Sequence, residues 1–286
     1  MRFANLDGRA VVLADHGAID VASSSGGRFG PDPMACNAEW DAFVAWAATV
    51  SAPAVPFDAR MLNAPAPRPS QLFGIGMNYA GHAREVGAPN PEFPPTFTKF
   101  PSCIAGPYAT VDLPSDGIDW EVELVAVIGR VAHGVLEADA WSYIAGLTIG
   151  QDLSNRAVQL RPPVPQFSLG KSYPGFGPMG PWIVTPDEFD NPDDLALACT
   201  LNGETKQDSR TSDLIFSVPA LIERLSGIVT LHPGDVIFTG TPSGVGAARK
   251  PPEFLAAGDV LVSTIEGIGS ITTSFTSTFT GTSAST

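Results

Sequence analysis

The sequence predicts a β-rich α+β fold with a small N-terminal domain, and three observations carry the prediction. Short apolar stretches of period two recur along the chain, separated by turns of glycine and proline. Gly 29 and Pro 27 favour many short strands over a helical bundle. Only residues 38–50 and 217–228 read as convincing amphipathic helices.

Taken in order, residues 1–22 alternate and turn, with Asp7-Gly8 as a hairpin turn. "AEWDAFVAWAATV" (38–50) then predicts a helix whose Trp40, Phe43, Val44 and Ala47 share a face. From Ser51 to Ser70 the composition shifts to Ala and Pro, which predicts a linker. Residues 1–65 are thus expected as the small domain and 66–275 as the catalytic body. The Ser/Thr-rich 276–286 is expected as a flexible tail.

A formal charge of −14 argues against nucleic acid and anionic membranes, since both need a basic footprint. No run approaches the ~18 apolar residues of a membrane span. The first residues lack the apolar core of a secretory signal. Cys36, Cys103 and Cys199 are odd in number and far apart, as expected of buried thiols in a reducing cytoplasm.

The stretch "IDWEVELVAVIGR" (118–130) reads as a core strand, with Trp120, Val122, Leu124, Ala126 and Ile128 on one apolar face. The other face carries Glu121 and Glu123. Residues two apart on a strand stand ~6.7 Å apart. At an effective dielectric of about 20, two charges at that distance repel by roughly 2.5 kcal/mol. Either the strand ends in water, or a divalent cation sits between the carboxylates. A second apolar strand ends at Asp152 in "AGLTIGQDLSNRAVQ" (145–159). Two Glu and one Asp form an all-oxygen donor set that suits Mg²⁺ or Mn²⁺, with Ca²⁺ as a stand-in in crystals.

Arg156 and Gln159 lie four and seven residues beyond Asp152, a spacing that predicts one shared face of a helical turn. Taken singly, Arg156 and Lys171 read as surface charges. His82 and Glu85, in "MNYAGHAREVG" (77–87), are three apart and touch if the segment is helical. Such a pair is either a solvated surface contact or an oriented general base. The proline-rich 87–97 reads as a shaped loop or lid. "LGKS" (169–172) is not a phosphate loop, because Pro165 stands where that motif needs a glycine. No dinucleotide fingerprint, nucleophile elbow or H-E-x-x-H pair occurs.

In order along the chain come "GIGMNYAGHAREVG", "PPTFTKFPSCIAGP", "IDWEVELVAVIGR", "GQDLSNRAVQ", "SLGKSYPGFGPMGPWIVTPDE", "LNGETKQDSRTSDLIFSV" and "LHPGDVIFTGTPSGVG". This succession resembles the fumarylacetoacetate hydrolase superfamily, specifically its acylpyruvase or fumarylpyruvate hydrolase-like members. The resemblance spans roughly residues 70–272. It implies a mixed β-roll, a homodimer, and a metal on Glu121, Glu123 and Asp152. It further implies His82, Glu85 and Lys171 as catalytic residues, and Arg156, Gln159, Tyr79 and Thr241 as substrate-binding ones. Ala157 and Pro174-Gly175 depart from the family pattern and leave the substrate's identity open.

The expected reaction is metal-dependent hydrolysis of the C–C bond of a 2,4-dioxo acid, as in aromatic catabolism. The alternative is an oxaloacetate-type decarboxylase or a 2-hydroxyhepta-2,4-diene-1,7-dioate-type isomerase on the same site. A third possibility is a catalytically silent dicarboxylate-binding protein.

Overall fold

The computed structural model describes residues 1–279. Its largest feature is an 11-stranded mixed sheet. The chain enters it as a hairpin, Arg2–Leu6 against Arg9–Ala14. Asp7 (φ 49) and Gly8 (φ 81) make the tight turn, both on the positive-φ side that such hairpins require.

The expected helix 38–50 is shorter, Trp40–Ala47, and a separate helix Pro33–Ala38 precedes it. Asp32 caps that first helix by accepting from Met34 N, and Pro33 fixes its first turn. Sequence reasoning did not predict this first helix. Phe43 packs edge-on against Phe3 at 5.2 Å and Phe29 at 5.5 Å, which ties the helix to the sheet.

The Ala/Pro stretch is not a free linker. Val55 and Ala18 exchange two backbone hydrogen bonds, and Leu62–Asn63 pairs with the first strand. The first strand also pairs with Gly177–Val184 of the body. The sheet therefore continues across the boundary expected at residue 65, and Phe3 and Trp40 share one core cluster with the body's strands.

At the centre lie Val122–Ile128 and Ile144–Gln151, antiparallel, with Glu123 opposite Gly150 and Val122 opposite Gln151. Every residue of both strands is buried. A Cβ on Gly150 would come within 2.5 Å of the Phe238 ring and 2.6 Å of Val125, so only glycine fits there. A five-stranded sheet packs over this centre. Polar pegs join the layers: Gln207 Oε1 accepts from Val122 N, and Gln151 Nε2 donates to Ser263 Oγ.

The helix expected at 217–228 spans Val218–Ser226, capped by Ser217 and burying Leu221, Ile222 and Leu225. The architecture is the β-rich α+β fold expected. In the tail, Thr278 bonds Asp112 through its N–H and hydroxyl, and residues 280–286 lie outside the described residues.

Candidate active site

The antiparallel register builds the acidic centre. Because Val122 faces Gln151, the next pair outward brings Glu121 and Asp152 together, and Asp152 N donates to Glu121 O at 2.9 Å. Glu123 follows on the same face. Carboxylate oxygens of Glu121, Glu123 and Asp152 lie within 4.8 Å of one another, and all three residues are buried. Asp152 is not on a helix with Arg156 and Gln159, as the spacing had predicted. It lies directly after the strand Ile144–Gln151, and the helical turn that follows is confined to Arg156–Gln159.

Arg156 and Lys171 are not surface charges either. Lys171 Nζ reaches Glu121 Oε2 at 2.7 Å, Asp152 Oδ2 at 2.7 Å and Ser154 Oγ at 2.8 Å. Arg156 holds Glu121 Oε1 at 2.8 Å through Nη1 and Asp119 Oδ2 at 2.6 Å through Nη2. Its Nη1 also donates to Gln159 Oε1 at 2.9 Å. Burial pushes the Glu121 carboxyl up, but Lys171, Arg156 and His82 outweigh it and hold that group at about 2. Burial lowers the Lys171 ammonium, and Asp152 and Glu121 more than reverse it, so the side chain stays charged.

Glu123 is the exception. It accepts one N–H, from Gly240, and no ammonium or guanidinium among the described residues lies within 4.0 Å of it. Gly240 can turn that N–H inward because its φ is +102. Burial, then Asp152 and Glu121, push the Glu123 carboxyl well above the usual range. A cation beside Glu123 would offset the negative charge crowded there. The hard, converging oxygens fit a divalent cation.

His82 and Glu85 sit on the helix Ala80–Glu85, with Nδ1 2.9 Å from Oε2. Glu85 Oε1 accepts from Gly244 N at 2.8 Å, which anchors the dyad to the 241–244 turn. A carboxylate at Nδ1 makes that nitrogen the donor and leaves Nε2 as the basic atom. Thr241 Oγ1 donates to Val122 O and accepts from Gln207 Nε2, so its hydroxyl is committed to the fold.

A cavity of about 420 Å³ is lined by His82, Glu85, Glu121, Arg156, Gln159, Lys171 and Thr241. Tyr79, expected among the substrate contacts, is not there. It lines a second cavity of about 310 Å³ with Arg84 and Asp213, on the other side of the same helix. Its buried phenol oxygen has no hydrogen-bond partner among the described residues. Burial, then Glu123 and Asp213, push that phenol up. Cys36, Cys103 and Cys199 are buried and free, and burial raises all three thiols, which makes them inert.

Sequence reasoning missed two residues. Asp119 shares the parity of Glu121 and Glu123, so alternation alone could have found it. It accepts from Trp120, Gly246 and Ala247 backbone N–H groups as well as from Arg156. Lys99 Nζ, fully buried, holds Asp152 Oδ1 at 2.6 Å and donates to the carbonyls of Lys171 and Phe176. Nothing local in "TFTKF" marks it.

The family profile described as fumarylacetoacetate (FAA) hydrolase C-terminal matches residues 71–276. The mitochondrial oxaloacetate tautomerase FAHD2A of Bos taurus is 43% identical over 221 residues, covering 77% of this chain and 70% of that protein. A crystal structure from Mycobacterium smegmatis, of a protein with a provisional HpcE designation, is 52% identical. It superposes with a TM-score of 0.93 over 98% of this chain and 100% of that one. Maleylpyruvate hydrolase from Sphingobium sp. SYK-6, solved with manganese(II) and pyruvate, is 26% identical. Its TM-score is 0.78 over 97% of this chain and 99% of that one. With the profile spanning most of the chain and the motifs meeting in one cavity, the chain belongs to the fumarylacetoacetate hydrolase family.

Proposed function

We propose that the chain is a metal-dependent enzyme that hydrolyses the C–C bond of a 2,4-dioxo acid, releasing pyruvate and a carboxylic acid. The observation that carries this reading is the His82–Glu85 dyad at 2.9 Å, opening into the same cavity as Glu121, Arg156 and Lys171. Glu121, Glu123 and Asp152 would hold Mg²⁺ or Mn²⁺, and that ion would act as Lewis acid and template for the oxo acid.

His82 Nε2 takes a proton from water, and the hydroxide adds to the C4 carbonyl. The C3–C4 bond breaks with its electron pair on C3, giving the carboxylic acid and a pyruvate enolate. His82 returns the proton to C3. Glu85 keeps the imidazole in one tautomer throughout. Lys171 and Arg156 supply fixed positive charge beside the enolate oxygen. The proline-rich segment after the dyad would exclude bulk water.

A second reading has one specific finding in its favour, the 43% identity to an oxaloacetate tautomerase. There the dyad would move a proton between C3 and the enol oxygen, with no attacking water. Decarboxylation or isomerisation would use the same enolate.

The test is product identification over acylpyruvates, fumarylpyruvate and oxaloacetate, with and without Mg²⁺ or Mn²⁺. If hydrolysis is the main activity, His82→Ala lowers kcat for acylpyruvates by about 10²- to 10⁴-fold with metal affinity unchanged. Wild-type hydrolysis by that variant, with its metal bound, would transfer the lead to the tautomerase reading. The homodimer and the cytoplasmic location are proposals that rest on the resemblance and composition. A light-scattering mass near 29.9 kDa would count against the dimer, and the bovine relative is mitochondrial by name.

A further inference from the structure

The cavity is divided by polarity. Its floor is Glu121, Lys171 and Gln159, all buried, with Arg156 beside them. Its rim is apolar, with Val86 and Leu160 exposed and Met77, Phe97 and Phe167 half-buried. Val86 is 49% exposed and Leu160 is 54% exposed. Phe97 and Phe167 meet edge-to-face at 5.7 Å and form one wall. Exposed apolar side chains gathered around one opening mark a binding surface more than they mark chance.

The positive charges are all accounted for at the floor. Among the lining residues only Arg156 and Lys171 carry a fixed positive charge, and both are spent on Asp119, Glu121 and Asp152. His82 faces Glu85. Towards the mouth the fixed charge is therefore the Glu85 carboxylate. The loop 87–97 that flanks the opening carries one charged residue, Glu92, and it is also acidic. Among the lining residues, a second carboxylate at the far end of a substrate would meet negative charge, apolar walls and no unpaired cation.

Space points the same way. At about 30 Å³ for a water-sized group, the six heavy atoms of a 2-oxo acid head occupy roughly 180 Å³. That is less than half of the 420 Å³ available.

We propose that the substrate, within the 2,4-dioxo acid reading above on which this rests, is a monoanion whose C4 acyl group is apolar. The polar floor takes the oxo acid head, and the rim of Met77, Val86, Leu160 and the Phe97–Phe167 wall takes the acyl tail. Diacids such as fumarylpyruvate and oxaloacetate are disfavoured.

The test compares acetylpyruvate, hexanoylpyruvate and succinylpyruvate on the Mn²⁺-loaded protein. Each buried methylene raises apolar affinity about threefold to fourfold. Hexanoylpyruvate should exceed acetylpyruvate by at least about tenfold in kcat/KM, and succinylpyruvate should fall at least about tenfold below hexanoylpyruvate. Leu160→Arg, at an exposed rim position, should narrow that last gap by about tenfold. A second arm measures binding without turnover, by calorimetry with 2-oxooctanoate against the length-matched diacid 2-oxooctanedioate. If no acylpyruvate is cleaved but the monoacid binds more tightly, the hydrolase reading fails and the acyl-end inference stands. Equal or tighter binding of the diacid, or succinylpyruvate as the best substrate, would overturn the inference whichever reaction the enzyme performs.

Discussion

Two sets of ion pairs in this molecule look alike by distance and differ in everything else. Arg9 and Asp20 meet at 2.7 Å on the first hairpin, with side chains 51% and 28% exposed. Lys171 meets Glu121 and Asp152 at the same 2.7 Å, with all three side chains nearly sealed from water. Water screens the first pair, and most such surface contacts contribute little. The second set had to be stripped of hydration, a cost that mutual attraction only just offsets. A fold does not need such a cluster for stability, since apolar residues would fill the space as well. The charges are held dry because something is done with them. The comparison sharpens when single members are removed.

Lys99→Met should have the largest effect. The ammonium is fully buried, holds Asp152 Oδ1 and satisfies two backbone carbonyls. Removing one partner leaves Asp152 and both carbonyls underbonded, which typically costs about 3–5 kcal/mol. Urea unfolding should show it as a lowered midpoint with unchanged slope. A loss below about 1 kcal/mol would mean that the centre relaxes far more than its packing suggests.

Asp119→Asn should cost less, about 1–3 kcal/mol. The carboxylate accepts on both oxygens: Trp120 and Gly246 N–H on Oδ1, Arg156 and Ala247 N–H on Oδ2. An amide must turn its NH₂ towards one of these donor sets. Because Asp119 ties Arg156 to the 246–248 segment of the cavity wall, KM should rise more than kcat falls. A proportionate fall in kcat with KM unchanged would show that Asp119 supports the reaction and not the placing of substrate.

These two residues also show where sequence stops being legible. Glu121 and Glu123 were readable because strand alternation puts like charges together, a conflict that demands a partner, and Asp152 because a second apolar strand ends there. Asp119 obeys the same alternation and was overlooked, so its signal existed. Lys99 had none: its partners lie 53, 72 and 77 residues away, and a lysine in a Thr/Phe strand looks like a solvated edge. The same holds for the sheet. The hairpin was legible from Asp7-Gly8, but the pairing of Arg2 and Phe3 with Val184 and Ile183 spans the chain. Tyr79 lies apart from the other expected site residues for a third reason. Its neighbour by two residues, Met77, lines the active cavity, yet Tyr79 itself faces the second one.

Glu123→Gln should act in the opposite direction to the other buried changes. The amide oxygen can still accept from Gly240 N, while a carboxyl crowded by Asp152 and Glu121 disappears. Metal-free protein should gain about 1 kcal/mol in stability. Mn²⁺ affinity should fall at least about tenfold, because one anionic donor is lost. An apo protein destabilised by this change, with Mn²⁺ binding intact, would refute the assignment of Glu123 as a metal ligand.

Asp20→Asn probes the exposed side of the comparison and should have the smallest effect. Asp20 does two jobs: it caps the helix Val21–Ser24 by accepting from Ser23 N, and it pairs with Arg9. Asparagine caps about as well as aspartate, so the substitution isolates the charge. The Arg9 hydrogen bond, against some burial, holds the Asp20 carboxyl at about 2. A depressed carboxylate stabilises the fold above its unfolded value near 4. That contribution fades as pH falls towards 2, because the folded state then binds the proton too. Water reaches both partners of the pair and screens it, so the net effect is small. At pH 7 the variant should lose no more than about 2 °C in Tm, and the difference should close between about pH 4 and 2. Salt at about 1 M should erase the same difference at pH 7 and leave the effect of Lys99→Met nearly unchanged, because a dry pair is beyond the reach of counterions. A salt-resistant loss at Asp20 would place that pair with the buried set, and the contrast between the two regions would fail.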